Sequence, residues 1–467
     1  MATLRYISRR VTAAALTLAL AACSDIAVPD LNNPGLDELQ SNPTRSAILT
    51  AATGLLVGSR ANWGSQNGPI PIMGILGREG YNLDAADPRF ITSMLIGPLS
   101  GGDPAFGGNL WGQYYTNIRN ANILINATNA IVTDPAAGLT AGEKEGVLGF
   151  ARTMKALEFL NVIVTRDSAG APIAVDIDPT APPAPVADRA AVYAYIESLL
   201  DSAYTHLTAA GASFPFALHG GFAGFDTPAS FATFNRGLKA RADIYQNDFA
   251  GALAALALSF VDTLQPLTLG VYHVFGTGSG DAQNALFDPD ARALHAHPSM
   301  LTDAQARVGG GVDLRFTAKT DSIASKTVQG ITTNLIPAVY TSPSSPVPIM
   351  RNEELILLRA EANIGLNQLA PALADINFIR RTAGGLANLA LGGQTQATML
   401  TELLYNKRYS LFWEGGHRWI DARHYGLLAT LPQDVATHRR FNRFPFPINE
   451  CTPRSSPPAG CADVTGF

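Results

Sequence analysis

Apolar residues recur at intervals of three and four along much of the chain, the spacing that lines one face of an α-helix. This period, or a helix-forming composition, predicts helices over Ser46–Val57, Trp111–Ile131, Glu143–Val164 and Ala190–Leu207. Segments rich in Gly, Pro and Asn interrupt the helical pattern, at 62–71, 80–108 and 266–348. Long loops in a compact protein are usually functional or disordered. The pattern therefore predicts a mostly helical scaffold that carries large irregular insertions.

Two stretches 120 residues apart resemble each other. Ala242–Ala254 and Ala362–Ala374 share seven of thirteen residues in register, and one shared residue is an Asn at the same break in the pattern. Apolar stripes precede and follow each break, so each copy predicts a helix, a short turn and a returning helix. A hairpin of roughly 34 residues has the length of a tetratricopeptide unit.

The ends of these hairpins carry specific signals. Asp248 stands where the first returning helix should begin, and its carboxylate suits an N-terminal cap. Gly384 and Gly385 follow the second returning helix and predict a left-handed cap. Small residues such as Ala362 let two paired helices approach closely, so we expect Ala362 at a helix crossing.

The N-terminus has a different pattern. Three arginines precede the mostly apolar run 11–22, which is too short for the roughly 20 residues that span a bilayer. This is the pattern of a secretory signal. The run ends in Leu20-Ala21-Ala22-Cys23, which resembles a bacterial lipobox, whose Cys is acylated before cleavage. We expect a signal peptide over 1–22 and an acylated Cys23 with a tether over 23–42; the alternative is an ordinary secretory signal with a chance Cys.

Charge and cysteine content narrow the function further. Removing residues 1–22 takes away three of 33 basic residues and none of 38 acidic ones, which leaves a net charge of about −8. An acidic chain has no electrostatic footprint for nucleic acid. Beyond Cys23 only Cys451 and Cys461 remain, and in an exported protein this pair predicts a disulfide, since a metal site needs more ligands nearby. We expect residues 43–467 to form one continuous body.

Two segments resemble a known family. Residues 348–362, followed by 374–384, are similar to the RagB/SusD signature R-x-x-E-hydrophobic-L-x-x-A-E-A and A-x-x-x-I-N-x-x-R-x-R-A-G. Residues 407–421 resemble the same family's E-R-x-x-E-L-x-x-E-G-x-R-W-x-D stretch. Asn406 or Lys407 stands where a Glu is usual, Ser410 replaces another Glu, and Gly416 looks inserted. These departures put the local salt bridges in doubt, and not the fold.

The resemblance implies a SusD-like fold: tetratricopeptide-like helical hairpins in a superhelical scaffold, with insertions at about 62–108 and 266–348. It also implies an outer-membrane lipoprotein, anchored on the cell surface, that captures glycans or, as the alternative, peptides. Such a protein closes over a SusC-like TonB-dependent transporter. The signature lies in scaffold helices, so it does not define the ligand site.

Side chains suited to catalysis have structural explanations. The helix after residue 351 carries three acidic residues, Glu353, Glu354 and Glu361. Because Arg351 and Arg359 lie beside them, an ion-paired or solvated face is favoured over acid–base chemistry. A second set, His417, Asp421 and His424, lacks the H-E-x-x-H pattern of a zinc site. We expect no enzyme activity, no metal and no cofactor.

Aromatic residues in the insertions are the better guide to a ligand. Sugars present C–H faces to aromatic rings and hydroxyls to polar side chains. The candidate binding residues are Trp63, Tyr81, Asn82 and Arg89, with loop packing as the alternative for each. If they do not bind, the site moves to the later insertion, around Tyr272 and Phe287. The other three tryptophans, Trp111, Trp413 and Trp419, lie in predicted helices and belong to the core.

Two other functional classes stay open at this point. A tetratricopeptide scaffold would bind a protein partner in the periplasm or on the cell surface. A surface glycoside hydrolase would carry carboxylates that no sequence pattern identifies. A neighbouring gene for a TonB-dependent transporter favours the binding lipoprotein, and turnover of a glycan favours the hydrolase.

The lipobox leads to the first prediction. Cys23→Ala removes the acylated thiol, so the exported protein should leave the membrane and appear in the soluble fraction. Fractionation followed by immunoblotting measures this, with the unaltered chain as control. A variant that stays with the membrane fraction would contradict the lipoprotein hypothesis.

Overall fold

The computed structural model describes residues 36–103, 110–178 and 180–467. The expected signal peptide, Cys23 and residues 24–35 of the tether lie outside these ranges. The expected tether extends to residue 42, but Leu36–Ser41 is helical, so this part of the tether prediction is wrong. Within the described ranges, none of the helices combines the length and the hydropathy that crossing a membrane requires.

Helices make up most of the regular structure. In the described ranges the helices are α1 (Leu36–Ser41), α2 (Arg45–Ser59), α3 (Pro69–Leu76), α4 (Arg89–Ile91), α5 (Gly112–Ala130), α6 (Ala141–Arg166), α7 (Arg189–Ala209), α8 (Pro228–Tyr245), α9 (Phe249–Ala257), α10 (Ser299–Thr302), α11 (Leu314–Lys319), α12 (Asn352–Gly365), α13 (Leu369–Thr382), α14 (Gln396–Ser410), α15 (His417–His424) and α16 (Ile448–Cys451). The four helices that the period predicts are confirmed as α2, α5, α6 and α7.

The strands are short and pair in twos. They are β1 (Gly80–Asn82), β2 (Ala171–Pro172), β3 (Val186–Ala187), β4 (Gly270–His273), β5 (Leu294–Ala296), β6 (Thr320–Val328), β7 (Ile331–Pro337) and β8 (Val347–Arg351). All pairs are antiparallel: β1 with β5, β2 with β3, β4 with β8, and β6 with β7. Near the C-terminus a disulfide joins Cys451 to Cys461.

The long helices stack in chain order. α5 packs on α6, α6 on α7, α7 on α8, α8 on α9, α9 on α12, and α12 on both α13 and α14. Their apolar faces form a continuous core, and a smaller cluster fills the space between α12, α13 and α14. The predicted fold class, a mostly helical scaffold of hairpins with insertions, is confirmed.

The two repeated hairpins turn in the same way. Asn247 and Asn367 both have left-handed backbone conformations, with φ of 63° and 57°. The residue after each Asn donates its N–H back to the last turn of the preceding helix, at 2.9 Å to Asp243 and 2.7 Å to Asn363. This hydrogen bond and the left-handed Asn close a Schellman motif. The shared Asn therefore marks a real structural repeat.

The predicted caps are also in place. The Asp248 carboxylate accepts a 2.9 Å hydrogen bond from the Gly251 N–H at the start of α9. Gly385 is left-handed, with φ of 63°, and the next N–H, of Leu386, returns to the Arg380 carbonyl at 2.9 Å. Both end signals are confirmed.

The insertions contain more regular structure than the sequence predicts. α3 begins at Pro69, inside the segment 62–71, because a proline is tolerated in the first turn of a helix. The segment 80–108 includes β1 and α4. The segment 266–348 holds α10, α11, the whole of β4 to β7 and the start of β8. The expectation of irregular insertions is wrong in these parts, because strand pairing satisfies backbone groups that buried loops would leave unpaired.

Buried ion pairs join the second insertion to the helical stack. Glu414, in the turn between α14 and α15, accepts hydrogen bonds of 2.7 and 3.0 Å from Arg351 at the end of β8. It also accepts a 2.8 Å bond from Lys319 at the end of α11, and Arg351 pairs with Glu353. Burial opposes ionisation of Glu414, but the charges of Arg351 and Lys319 outweigh it and lower its pKa to about 2.

Two further pairs use the other glutamates of α12. Arg241 on α8 forks onto both oxygens of Glu354, each at 2.7 Å, and links the two repeated hairpins. Lys407 on α14 lies 2.9 Å from Glu361 and 2.6 Å from Asp421 on α15. The ion-paired alternative for the α12 glutamates is therefore the one that the structure shows, and the pairs are buried.

The departures from the family signature have local explanations. Lys407 replaces a usual Glu and forms the buried pairs just described. Asn406 and Ser410 accept 2.9 and 3.0 Å hydrogen bonds from one nitrogen of Arg315. Gly416 is left-handed, with φ of 72°, and a side chain there would collide with Met73.

The helix crossing at Ala362 gives the second prediction. Ala362 is fully buried in the core, so Ala362→Leu should overpack the hairpin and lower the free energy of unfolding by about 1–3 kcal/mol. Ala254→Leu on α9 is the matched control, because Ala254 is exposed on its helix. Chemical denaturation measures both variants; equal stability of the two would contradict the crossing.

Glu414 gives the third prediction. Glu414→Gln leaves Arg351 and Lys319 without their shared partner, and breaking a buried pair in this way costs about 3–5 kcal/mol. The folded pKa of Glu414 is depressed, so its stabilisation is present above the unfolded value of about 4.3 and is lost as pH falls toward 2. We expect the variant to be less stable than the unaltered chain at pH 7. We also expect its free energy of unfolding to change less between about pH 4 and pH 2. Denaturation midpoints across this pH range measure the effect. The same loss of stability at low pH in the variant and in the unaltered chain would contradict the role of Glu414.

Candidate ligand-binding site

The two insertions meet on one part of the molecule. β1 of the first pairs with β5 of the second, so that Tyr81 lies opposite His295. Ala285 donates its N–H to the Gly64 carbonyl at 2.7 Å, and the Gln66 amide donates to the Ala285 carbonyl at 3.0 Å. Arg60 binds Asp281 at 2.7 Å. The first insertion is therefore held against the second by both backbone and side-chain contacts.

Trp63 lies at this junction with 9% of its surface exposed. Its indole stacks on the His273 ring, with 5.5 Å between the ring centroids. The indole N–H is buried and has no hydrogen-bond partner among the described residues. The side chain thus packs between the insertions more than it faces solvent.

An enclosed cavity lies beside Trp63. It is lined by Trp63, His273, Arg241, Glu414, His417 and neighbouring apolar residues, and its volume is about 40 Å³. A water molecule occupies about 30 Å³ of liquid, so this space fits water and not a sugar. Burial lowers the pKa of His273 to about 3 and that of His417 to about 4, so both rings are neutral at neutral pH.

Tyr81 and Asn82 are buried. Tyr81 is 1% exposed and its ring packs against His297 at 5.3 Å between centroids. Asn82 is 3% exposed, and its side-chain oxygen accepts a 3.0 Å hydrogen bond from the Asp84 N–H. The pairing of β1 with β5 covers both side chains. The expected stacking face of Tyr81 and the expected donor of Asn82 do not reach solvent in this arrangement.

Arg89 is the most exposed of the four candidates. Its side chain is 43% exposed, and the guanidinium binds Asp87 through two 2.8 Å hydrogen bonds and Asp103 at 3.2 Å. The two carboxylates engage the cation, so Arg89 is not a donor held open for a ligand.

An open pocket of about 200 Å³ lies in the second insertion. It is lined by Phe287, Asp288, Pro289, Asp321, Ile336, Pro337, Ala338, Tyr340 and Thr341. Phe287 is half-buried, and Asp321 and Thr341 are exposed. An aromatic ring next to a carboxylate and a hydroxyl is an arrangement that suits a sugar ring, with its C–H face and its hydroxyls.

Hydrogen bonds hold the walls of this pocket in place. The Asp288 carboxylate accepts from the N–H groups of Arg292, Ala293 and Leu294, at 2.8 to 3.2 Å. The Tyr340 hydroxyl donates to the Trp413 carbonyl at 2.9 Å. Because its loop is fixed in this way, Asp288 shapes the pocket, and Asp321 and Thr341 supply its exposed polar groups.

Sequence reasoning placed Phe287 second, after the residues of the first insertion. Tyr272, named with it, donates its hydroxyl to the Thr268 carbonyl and lies outside the lining of this pocket. The sequence Phe287-Asp288-Pro289-Asp290 contains the signal for this pocket, because an aromatic residue stands directly before a turn-forming Asp-Pro. Across the described ranges, no three His, Cys, Asp or Glu side chains form a group that could hold a metal ion.

Comparisons with known proteins agree with this architecture. Residues 324–441 match the model of the SusD family. A SusD superfamily protein from Bacteroides vulgatus is 16% identical, with 89% of this chain and 99% of that one covered and a TM-score of 0.67. NanU from B. fragilis is 15% identical, with 91% and 99% covered and a TM-score of 0.65. A SusD-like protein described as laminarin-binding is 15% identical, with 88% and 99% covered and a TM-score of 0.57. Comparison with curated protein sequences gives no match.

At these identities the solved structures establish a shared fold, which extends over most of this chain. The family match covers the α14–α15 turn and both signature stretches, residues 348–384 and 407–421. The hairpin repeat, the insertions and the signature stretches agree with these findings: residues 324–441 match the SusD family, and the chain has the fold of SusD-like structures.

Proposed function

We propose that this protein is a cell-surface, lipid-anchored binding protein that captures glycans and delivers them to a SusC-like TonB-dependent transporter in the outer membrane. The observation that carries the glycan part is the Phe287 pocket, which combines an aromatic ring with exposed polar groups. The laminarin-binding description of one structural neighbour supports the same ligand class.

Pocket size and rigidity favour a single sugar unit as the bound element. A volume of about 200 Å³ is below the usual range of about 300–1,000 Å³ for drug-sized ligands. The pocket therefore accepts one end or one residue of a longer glycan, whose remaining units extend into solvent. Fixed walls reduce the ordering cost of binding.

Binding without chemistry fits the placement of the carboxylates. Hydrolysis of a glycan usually requires two carboxyl groups facing the scissile bond. In the Phe287 pocket, Asp288 is committed to backbone N–H groups, which leaves Asp321 as the exposed carboxylate. The glutamates of α12 are engaged in buried ion pairs.

Attachment and delivery rest on the sequence. The lipobox at Leu20–Cys23 supports a lipid anchor, with several acyl chains that each add about 0.8 kcal/mol of membrane affinity per buried CH₂. The transporter partner follows from the family resemblance. Co-purification of the acylated protein with a TonB-dependent transporter tests this part separately from glycan binding.

The pocket gives the fourth prediction. Phe287→Ala should weaken glycan binding at least about tenfold, or ~1.4 kcal/mol, because an aromatic anchor carries much of a site's binding energy. The melting temperature should change little, since Phe287 is only half-buried. Titration calorimetry with a glycan selected on an array measures affinity, and Phe378→Ala on α13 is the matched half-buried control.

Trp63→Ala and Tyr81→Ala complete this test. Both remove buried rings, so we expect a loss of several kcal/mol of stability, as for other large-to-small core substitutions. Any loss of binding should accompany that loss of stability. Unchanged glycan affinity in Phe287→Ala would contradict a site in the Phe287 pocket. A selective loss of affinity in Trp63→Ala at unchanged stability would place the site in the first insertion.

A further inference from the structure

A second and larger depression lies away from the insertions, between α14, α15 and the turn after α15. We call it the α14–α15 groove; its volume is about 560 Å³. Its lining consists of Ala397, Leu400, Thr401, Leu404, Tyr405, Arg408, Arg418, Asp421, Ala422, Tyr425, Leu427, Thr430 and Leu431. The volume is in the range of small-molecule sites, which are mostly apolar with a few polar groups.

The apolar wall comes from one face of α14. Ala397, Leu400, Thr401, Leu404 and Arg408 follow the spacing of three and four residues and face the groove together. Leu400 and Leu404 are only half-buried, and Thr401 is exposed. This face of α14 therefore keeps part of its apolar surface exposed.

Arg418 is a cation without an ion-pair partner at the wall of this groove. Its guanidinium donates one hydrogen bond, at 2.6 Å, to the Arg78 carbonyl. Within the part of the chain that the structure describes, no carboxylate lies within ion-pair distance of it. The other two charged residues of the lining are engaged elsewhere: Arg408 with Asp303 at 2.7 Å, and Asp421 with Lys407 at 2.6 Å.

Two carboxyl groups act on Arg418 from beyond ion-pair distance, Glu79 and Asp303, and Asp303 is bound to Arg408 at 2.7 Å. Burial raises the pKa of Glu79 to about 8, so this carboxyl group is mostly neutral at pH 7. Burial also lowers the pKa of Arg418 to about 9, and the guanidinium is still charged at neutral pH. A partly buried cation with no carboxylate at ion-pair distance is unfavourable, and a bound anion would offset that cost.

We propose that the α14–α15 groove is a second ligand site, which binds a small amphipathic carboxylate. The carboxylate accepts hydrogen bonds from Arg418, and the apolar body of the ligand lies against Leu400, Leu404 and Leu427. A glycan suits this groove poorly, because most of the accessible surface of its lining is apolar. The site is separate from the Phe287 pocket and does not depend on the proposed function.

Titration calorimetry with octanoate, on the purified mature chain, tests the proposal. We expect saturable binding of octanoate at pH 7 and at least tenfold weaker binding of octanol, which has the same apolar chain and no charge. Absence of octanoate binding, or equal affinity for octanol, would overturn the proposal.

Variants locate the site. Arg418→Gln should weaken octanoate binding at least tenfold, Arg418→Lys should restore part of the affinity, and Arg381→Gln, an exposed arginine on α13, should have no effect. Thr401→Trp fills the groove from an exposed position and should abolish binding at an unchanged melting temperature, which covers the case in which Arg418→Gln fails to fold. Unchanged binding in Thr401→Trp, or displacement of octanoate by the glycan bound at Phe287, would contradict a separate site in this groove.

Discussion

The shape of the molecule depends on buried charges that must stay paired. Glu414 compensates Arg351 and Lys319 together. Arg351 ends β8, where the second insertion returns to the helical stack, and Lys319 ends α11 within the insertion. Removing one partner leaves a buried charge, which costs far more than the loss of a surface pair. The same chemistry joins α8 to α12 through Arg241 and Glu354. The insertion is therefore held in one position relative to the helices, and its pocket has fixed walls.

Local features of the fold could be predicted from the sequence, because they depend on nearby residues. The turns at Asn247 and Asn367 require a residue that tolerates left-handed φ. Asp248 caps α9 by accepting a hydrogen bond from the N–H of Gly251, only three residues further along the chain. Tyr81 and Asn82 could not be placed in this way. Their burial depends on pairing with β5, more than 200 residues later, and no period in either segment indicates it. The Phe287 pocket could not be placed either, because Asp321 and residues 336–341, which complete its walls, lie more than 30 residues further along the chain.

In the proposed function, the residues that pack the scaffold and the residues that bind ligands are largely different. Most residues that carry the family signature are used for packing and for buried ion pairs, and Arg418 is the exception that we propose to contact a ligand. The two proposed sites differ in chemistry: the Phe287 pocket has polar groups around a ring, and the α14–α15 groove has a mostly apolar wall beside Arg418. A rigid body with ready-made surfaces binds with little ordering cost, as a capture protein requires.

Hydrogen–deuterium exchange of the mature chain, with and without a glycan that it binds, tests the central claim most directly. The account predicts slower exchange in the loop 284–293 and in residues 336–341, which form the walls of the Phe287 pocket, and unchanged exchange in α8 and α9. Protection confined to the helical hairpins, or the absence of any bound glycan across a broad panel, would contradict it.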